Sequence, residues 1–342
     1  MKKILFATTL VMALLFSISS VMAEVVALKK DLPDQYVVKR GDTLWDISGV
    51  FLQNPWMWSE IWHANQQIEN PHLIYPGDTI TLVYIDGVPQ LVVKRSRDLK
   101  LSPKIRTMDH AEAISALPLE IIDTFLSKNR VTDDVTLRSA PYVLGGTERR
   151  ILVGMKDDFY ARGDFTANRL NYGIYRRGDP YLDPDTGELL GIRAIDVGAA
   201  KIKALKEDIA TLGVSRASGE IRIKDRLLFS EDRTLASTFY PRAPETEIKA
   251  SVLNVEDGVR NAGALDVVAI NRGDRDGLQA GDTLAIFKRG DFTKDRVANQ
   301  RVQLPDERIG LLMVFYTYEK MSFGLVMEAD RQVDIGDLLS NP

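Results

Sequence analysis

All four tryptophans of this 342-residue chain lie between Trp45 and Trp62, inside one stretch running from Tyr36 to Val83. No other feature constrains the fold as tightly. Tyr36 to Lys39 is a short β-branched run, the mark of a strand. Gly41-Asp42-Thr43 follows as a turn, and Asp42 or Thr43 is placed to cap the helix traced by Leu44, Ile47 and Phe51. Asn54-Pro55 ends that helix. Ser59 to Gln66 supplies a second, with Trp58, Ile61 and Trp62 on one face. Pro76-Gly77-Asp78 then turns the chain into a strand from Thr79 to Val83. The pattern predicts a β-α-α-β unit so small that aromatic bulk must make up for a thin core.

In that order, the residues resemble the LysM domain, a module that binds N-acetylglucosamine-containing glycans of peptidoglycan and chitin. The resemblance rests on V-x-x-G-D-T-L-W-x-I at the start, Asn65 in the second helix and I-Y-P-G-D-x-I at the end. It covers about one seventh of the chain. Gly281-Asp282-Thr283-Leu284 repeats the G-D-T-L string with no helix pair after it, and so is no second copy. The N-P-W-M-W insertion between the helices is more aromatic than the family's usual linker. The resemblance implies a sugar groove between two loops, formed by Gly41, Asp42, Thr43 and Leu44 on one side and Leu73, Ile74 and Tyr75 on the other. N-acetyl sugars offer amides to backbone donors and apolar ring faces to flat walls. Asp42 and Thr43 serve equally well as plain caps. Trp45 and Trp62 fit the core, while of Trp56 and Trp58 one seals the helix pair and the other is open as a stacking platform.

Residues 1–23 have a basic start, an apolar run from Ile4 to Phe16 and a small-residue end at Val21-Met22-Ala23. That is a secretory signal peptide cut after Ala23. The competing reading is an uncleaved anchor, since Lys3 and Glu24 bracket twenty uncharged residues. The chain has no cysteine, which removes lipid attachment, disulfides and thiol chemistry. Loss of the two signal lysines takes the net charge from −4 to −6. An exported, mildly acidic chain of this kind is a periplasmic or cell-envelope protein, with no nucleic-acid partner and no transmembrane span after cleavage.

Beyond the first module (36–84), residues 85–130 read as a linker. It holds a short run at Leu91 to Val93, six basic residues from Lys94 to Arg106, and a helix opened by Pro118 with Leu119, Ile122, Phe125 and Leu126 on one face. The basic run is a solvated linker or a contact for anionic wall polymer. From Val131 the pattern changes to short strands and turns, with an internal duplication. Ile174-Tyr-Arg-Arg-Gly-Asp179 recurs at an offset of 112 as Ile286-Phe-Lys-Arg-Gly-Asp291, and Val197-Gly198 stands at the same offset from Ile309-Gly310. Upstream, Gly163-Asp164 aligns with Gly281-Asp282 at an offset of 118. Two mostly-β copies follow, 131–230 and 249–342, each a small barrel or sandwich, joined by a linker at 231–248. The fold class is therefore α+β. The second copy's strand pairs look like the C-terminal β domains of flagellar-assembly and other envelope proteins. The whole arrangement is similar to a proteobacterial family of exported LysM proteins whose β half has no established activity.

Catalytic constellations are missing from the sequence. The only histidines are His63, His72 and His110, too few for a zinc peptidase. Five Arg-Gly-Asp strings start at Arg40, Arg162, Arg177, Arg272 and Arg289, and turn formation accounts for their Gly-Asp pairs. The reading is a non-enzymatic peptidoglycan-binding protein needing no cofactor and no metal, with glycan strands and an envelope protein as partners. The alternatives are an envelope-assembly factor acting through protein contacts and, behind it, a peptidoglycan hydrolase.

Overall fold

The computed structural model describes residues 27–58, 61, 74–85, 88–94, 119–147, 150, 153–165, 170–229, 240–256 and 261–342. The signal segment, most of the second helix, all three histidines and the basic run beyond Lys94 lie outside them.

In the first module, strand β1 (Gln35–Val37) pairs with β2 (Thr79–Ile85), Tyr36 opposite Ile80. Helix α1 (Leu44–Phe51) drives Leu44, Trp45, Ile47 and Phe51 into the core. A 3₁₀ turn at Pro55–Met57 follows, and it buries Trp56 and Met57. The start of the stretch read as linker carries a third strand, β3 (Val88–Lys94), paired with β2 from Thr79↔Lys94 to Ile85↔Val88. Helix α2 (Leu119–Lys128) buries Ile122, Phe125 and Leu126.

The β half opens with β4 (Asn129–Thr132) and an unanticipated short helix α3 (Asp134–Ser139), whose first turn Asp133 caps through the Thr136 N–H at 2.7 Å. Strands β5 (Tyr142–Gly146), β6 (Asp158–Arg162), β7 (Asn171–Leu182), β8 (Leu189–Lys206), β9 (Ile209–Ala217) and β10 (Arg226–Phe229) come next. With β4 they form one sheet in the order β4-β8-β7-β10-β5-β6-β9, and an additional β8–β9 pairing brings its end back onto β8. The six strands after β4 thus form a ring. The last third contains β11 (Lys249–Val255), β12 (Asn261–Ala262), β13 (Val267–Ile270), β14 (Thr283–Lys288), β15 (Phe292–Asp295) and β16 (Gln300–Gln303). It ends with β17 (Glu307–Thr317), β18 (Ser322–Ala329), β19 (Val333–Asp334) and β20 (Leu338–Ser340). Here β11-β13-β18-β17-β14-β20 close a barrel.

Taken round from β5, the ring's neighbours are β6, β9, β8, β7 and β10, and round from β11 they are β13, β18, β17, β14 and β20. Ile174 faces Gly198 across β7–β8, and at the 112 offset Ile286 faces Gly310 across β14–β17. Gly198 faces Ala217, and Gly310 faces Ala329. At both glycines a Cβ would sit within 2.5 Å of a carbonyl oxygen, that of Arg216 or Glu328, so neither strand pair admits a side chain there. Upstream of β7 the pairings match at an offset of 109 instead: Val143 faces Ala161, and Val252 faces Ile270, with a bulge after Val143 and after Val252. Register therefore places Gly163 opposite a different point of the fold from Gly281, and the alignment at an offset of 118 does not follow the strands.

Four-residue turns closed by aspartate recur throughout. In the turns 39–42, 75–78, 154–157, 222–225, 263–266, 279–282 and 334–337, the fourth residue's carboxylate accepts the first residue's N–H. The third residue of each has positive φ, and it is Gly41, Gly77, Lys156, Lys224, Leu265, Gly281 and Gly336 in turn. Turn chemistry thus accounts for these aspartates. It does not account for Arg177-Gly178-Asp179, which lies inside β7 at a bulge between Arg177 and Pro180.

The two β units are locked together by the β7–β8 hairpin, which reaches onto the second barrel. Tyr181 donates its hydroxyl to buried Glu256 at 2.7 Å, and Arg193 Nη2 stands 3.3 Å from the same carboxylate. At the hairpin's tip Asp183 accepts from Asn271 and Arg272, and Glu188 from Arg275 and Lys320. Phe125 of α2 packs edge-on against Phe323 and Phe315, so this helix docks on the second barrel as well as beside β4 and β8. No helix among the described residues is long and apolar enough to cross a membrane.

Candidate glycan-binding site

The two loops named for the groove are built as a pair. Each is an x-x-Gly-Asp turn: Asp42 Oδ2 accepts the Lys39 N–H at 2.7 Å, and Asp78 Oδ2 accepts the Tyr75 N–H at 3.0 Å. Val38, between β1 and the first turn, zips them together by donating to Asp78 O at 2.9 Å and accepting from Gly77 N at 2.8 Å. Gly41 (φ 94°) and Gly77 (φ 98°) hold left-handed backbone, and a Cβ on either would meet nothing within 4 Å, so backbone conformation alone demands glycine there. Asp42 also accepts the Tyr36 hydroxyl at 2.9 Å. Partial burial and that bond to a carboxylate push the Tyr36 phenol pKa up.

The cap of α1 is Thr43 alone. Its hydroxyl accepts the Asp46 N–H at 3.2 Å while the Asp46 carboxylate takes the Thr43 N–H at 3.0 Å, a reciprocal capping box. Thr43 is buried, and Leu44 and Ile74 are buried completely. From these three positions the side chains serve the core and the cap, leaving the backbone to face a ligand. Gly41 is exposed, Asp42 and Tyr75 are half-buried, and Leu73 lies outside the described residues. The structure therefore brings Gly41–Leu44 beside Ile74–Tyr75, with Tyr75 a half-buried aromatic side chain at that place.

Neither Trp56 nor Trp58 is a stacking platform. Both are buried, and Trp58 packs its ring 5.7 Å from Tyr240, at the seam with the second barrel. The aromatic insertion fastens the module to the rest of the chain. A sequence signal for that role existed in Tyr240-Pro-Arg-Ala-Pro244, the stretch read as linker. Arg242 in it pairs with Asp282 at 2.8 Å, and its main chain bridges to the same residue.

One cleft was not foreseen. It measures about 790 Å³ and lies between the β units, walled by Arg130, Asp134, Glu188, Leu190, Tyr318 and Lys320. Three of the four carboxylates that line it, those of Asp133, Asp134 and Glu188, are engaged. Asp134 pairs with Arg138 and Arg177, and Asp133 caps α3. Bonds from Arg275 and then Lys320 hold the Glu188 pKa down to about 2. A general acid needs a carboxyl with raised pKa, and those of Asp133, Asp134 and Glu188 are driven the other way.

Comparison with known proteins bears on the first module. The LysM domain model matches residues 36–83. An uncharacterized Bacillus subtilis protein, YqbP, is 36% identical over 63 residues, which cover 16% of this chain and 29% of that protein. The chain thus spans under a third of that relative's length. A LysM domain is a binding module, and the match supports a glycan-binding role at the cell wall.

Proposed function

We propose that this chain, whose residues 36–83 are a LysM domain, is an exported, non-enzymatic, peptidoglycan-binding protein of the periplasm. The domain anchors it to N-acetylglucosamine-containing strands through Gly41, Asp42, Thr43, Leu44, Leu73, Ile74 and Tyr75. The regions 131–230 and 249–342 are copies of one β unit and act as interaction modules. The observation that carries the anchoring role is the LysM match itself, joined to two loops held side by side by Val38. Matching neighbour order and register support the duplication. The engagement of aspartates in turns and of Asp134 and Glu188 of the cleft in ion pairs supports a binding role over hydrolysis.

A shallow groove making a few hydrogen bonds and one stacking contact gives millimolar to micromolar affinity, about 4–8 kcal/mol. The test is sedimentation of the mature chain with purified sacculi. Tyr75→Ala should lower binding about tenfold, one stacking contact's worth, with unchanged thermal unfolding. Thr43 is unsuitable as the test position, because its loss would also remove the cap. Wild-type binding to sacculi by Tyr75→Ala would move the site elsewhere. A mature chain that never sediments would favour the envelope-assembly reading, and dye release from labelled sacculi would favour hydrolysis.

A further inference from the structure

The β7–β8 hairpin of the first unit lands on the second, and the corresponding hairpin of the second unit lands on nothing described. Its tip is the β15–β16 ribbon, where Asp295 caps the N–H groups of Val297 and Ala298, just as Asp183 caps Asp185 and Thr186 at the equivalent place in the first unit. The ribbon exposes Phe292 and Val297, the latter at 98%. It also carries Lys294, Arg296 and Arg301, and Arg301 stacks on Phe292 at 4.4 Å. Lys294 and Arg296 have no ion-pair partner among the described residues.

The docking contact inside the chain pairs an acidic tip with a basic receiving end: Asp183 and Glu188 meet Arg272, Arg275 and Lys320. At the other two surfaces the charges are exchanged. The free tip is basic. The end of the first unit that corresponds to the receiving one carries Asp164, Glu207 and Asp208 against Lys206, the single unpaired base there among the described residues. Asp208 pairs with Arg162 at 2.6 Å, half in solvent. Tyr160, Leu205 and Ile209 are exposed beside this acidic end. Ile209 stands where the second unit has buried Met321, and Tyr160 where it has Ala269, next to the seat of Tyr181. Both surfaces of a second contact are therefore present on one chain, complementary in charge, with no hydrogen bond or ion pair between them among the described residues.

We propose that the β15–β16 ribbon docks on the 158–164 and 205–209 end of a second copy of this chain, repeating head to tail the contact made inside each molecule. The inference rests on reading the two units as copies of one. Such a contact is heterologous, so it propagates into an open series or closes a ring. Opposite charges at exposed rims steer association and make it salt-sensitive.

The test is sedimentation velocity of the mature chain over a concentration series, with two charge-reversed variants. The ribbon variant is Lys294→Glu with Arg296→Glu, and the end variant is Glu207→Lys with Asp208→Lys. Wild type should form species beyond the dimer that dissolve in high salt. Each variant alone should weaken association about tenfold or more, with unchanged thermal unfolding. An equimolar mixture of the two should regain the series, since the wild-type contact and the reversed one both form between unlike variants. Carrying all four reversals in one chain should restore the series. A wild type that stays monomeric at its highest soluble concentration overturns the proposal, as does association indifferent to both variants. Binding of the ribbon to phosphatidylglycerol vesicles without self-association does so too. Sacculus binding should survive every variant, and its absence would count against the glycan anchor alone.

Discussion

On the second barrel the outward positions of β13, β18 and β17 are Val267, Ala269, Leu311, Met313, Phe315, Phe323 and Leu325, all buried. On the first ring the same pairing positions hold Asp158, Tyr160, Ala199, Lys201, Lys203, Thr211 and Gly213. The inward positions agree instead: Val143, Ile174, Val197 and Leu227 on one, Val252, Ile286, Ile309 and Leu339 on the other. Strand alternation allows this, because each face of a strand is written by every second residue. The interior sets the ring, and the exterior decides what the ring is for. The second barrel is a platform, joined in one apolar cluster with the LysM core, α2 and Tyr181. The first presents the Lys203–Asp158 pair to solvent across the corresponding wall.

The sharpest test of that difference is one truncation on each wall. Phe323 is fully buried between Phe125, Phe315 and Tyr181, so Phe323→Ala should cost about 3–5 kcal/mol in urea unfolding. Thr211→Ala, at the matching site, should stay within about 0.5 kcal/mol. Equal costs would show that the walls do not differ in role. A smaller effect separates the hairpins. Tyr181→Phe strips a donor from the buried Glu256 carboxylate and should cost about 1–3 kcal/mol. Thr293→Ala, its counterpart on the exposed ribbon, should be silent in the same unfolding measurement.

These walls also explain how much could be read from the sequence. The LysM unit was legible because its turns need glycine at 41 and 77 and its caps need short polar side chains. Along β7 to β10 the offset of 112 falls on glycines such as 198 and 310, at each of which a side chain would strike a carbonyl oxygen. Upstream it failed, since the equivalent left-handed positions are Lys156 and Leu265, and a Gly-Asp search passes over both. Outward residues contribute nothing to the likeness, being large and apolar on most of one ring's wall and charged, polar or small on most of the other's. In the groove, the loop residues could be named from the motif, but the burial of Thr43 and Ile74 depends on core packing that spacing does not encode. Contacts such as Tyr181–Glu256 and Trp58–Tyr240 join residues far apart in sequence with no shared motif, so they surface only in three dimensions.

The smallest expected effect lies in the charged clamp at the hairpin tip. Glu188 binds Arg275 and Lys320 at the surface, and those bonds hold its pKa down to about 2. An unfolded glutamate titrates near about 4.3. A depressed folded pKa stabilises the native state fully above the unfolded value, and the gain is lost as pH falls toward the folded value. The clamp therefore contributes its whole effect at neutral pH, fades below about 4.3 and is gone near 2. The counterpart on the free ribbon is Gln300, which cannot titrate. Glu188→Gln should unfold slightly earlier than wild type at neutral pH, and the two curves should converge as the pH is lowered through that window. The check is the urea midpoint of both proteins at steps from neutral pH downward. A gap that stays constant with pH would mean that the Glu188 charge does not help hold the two β units together.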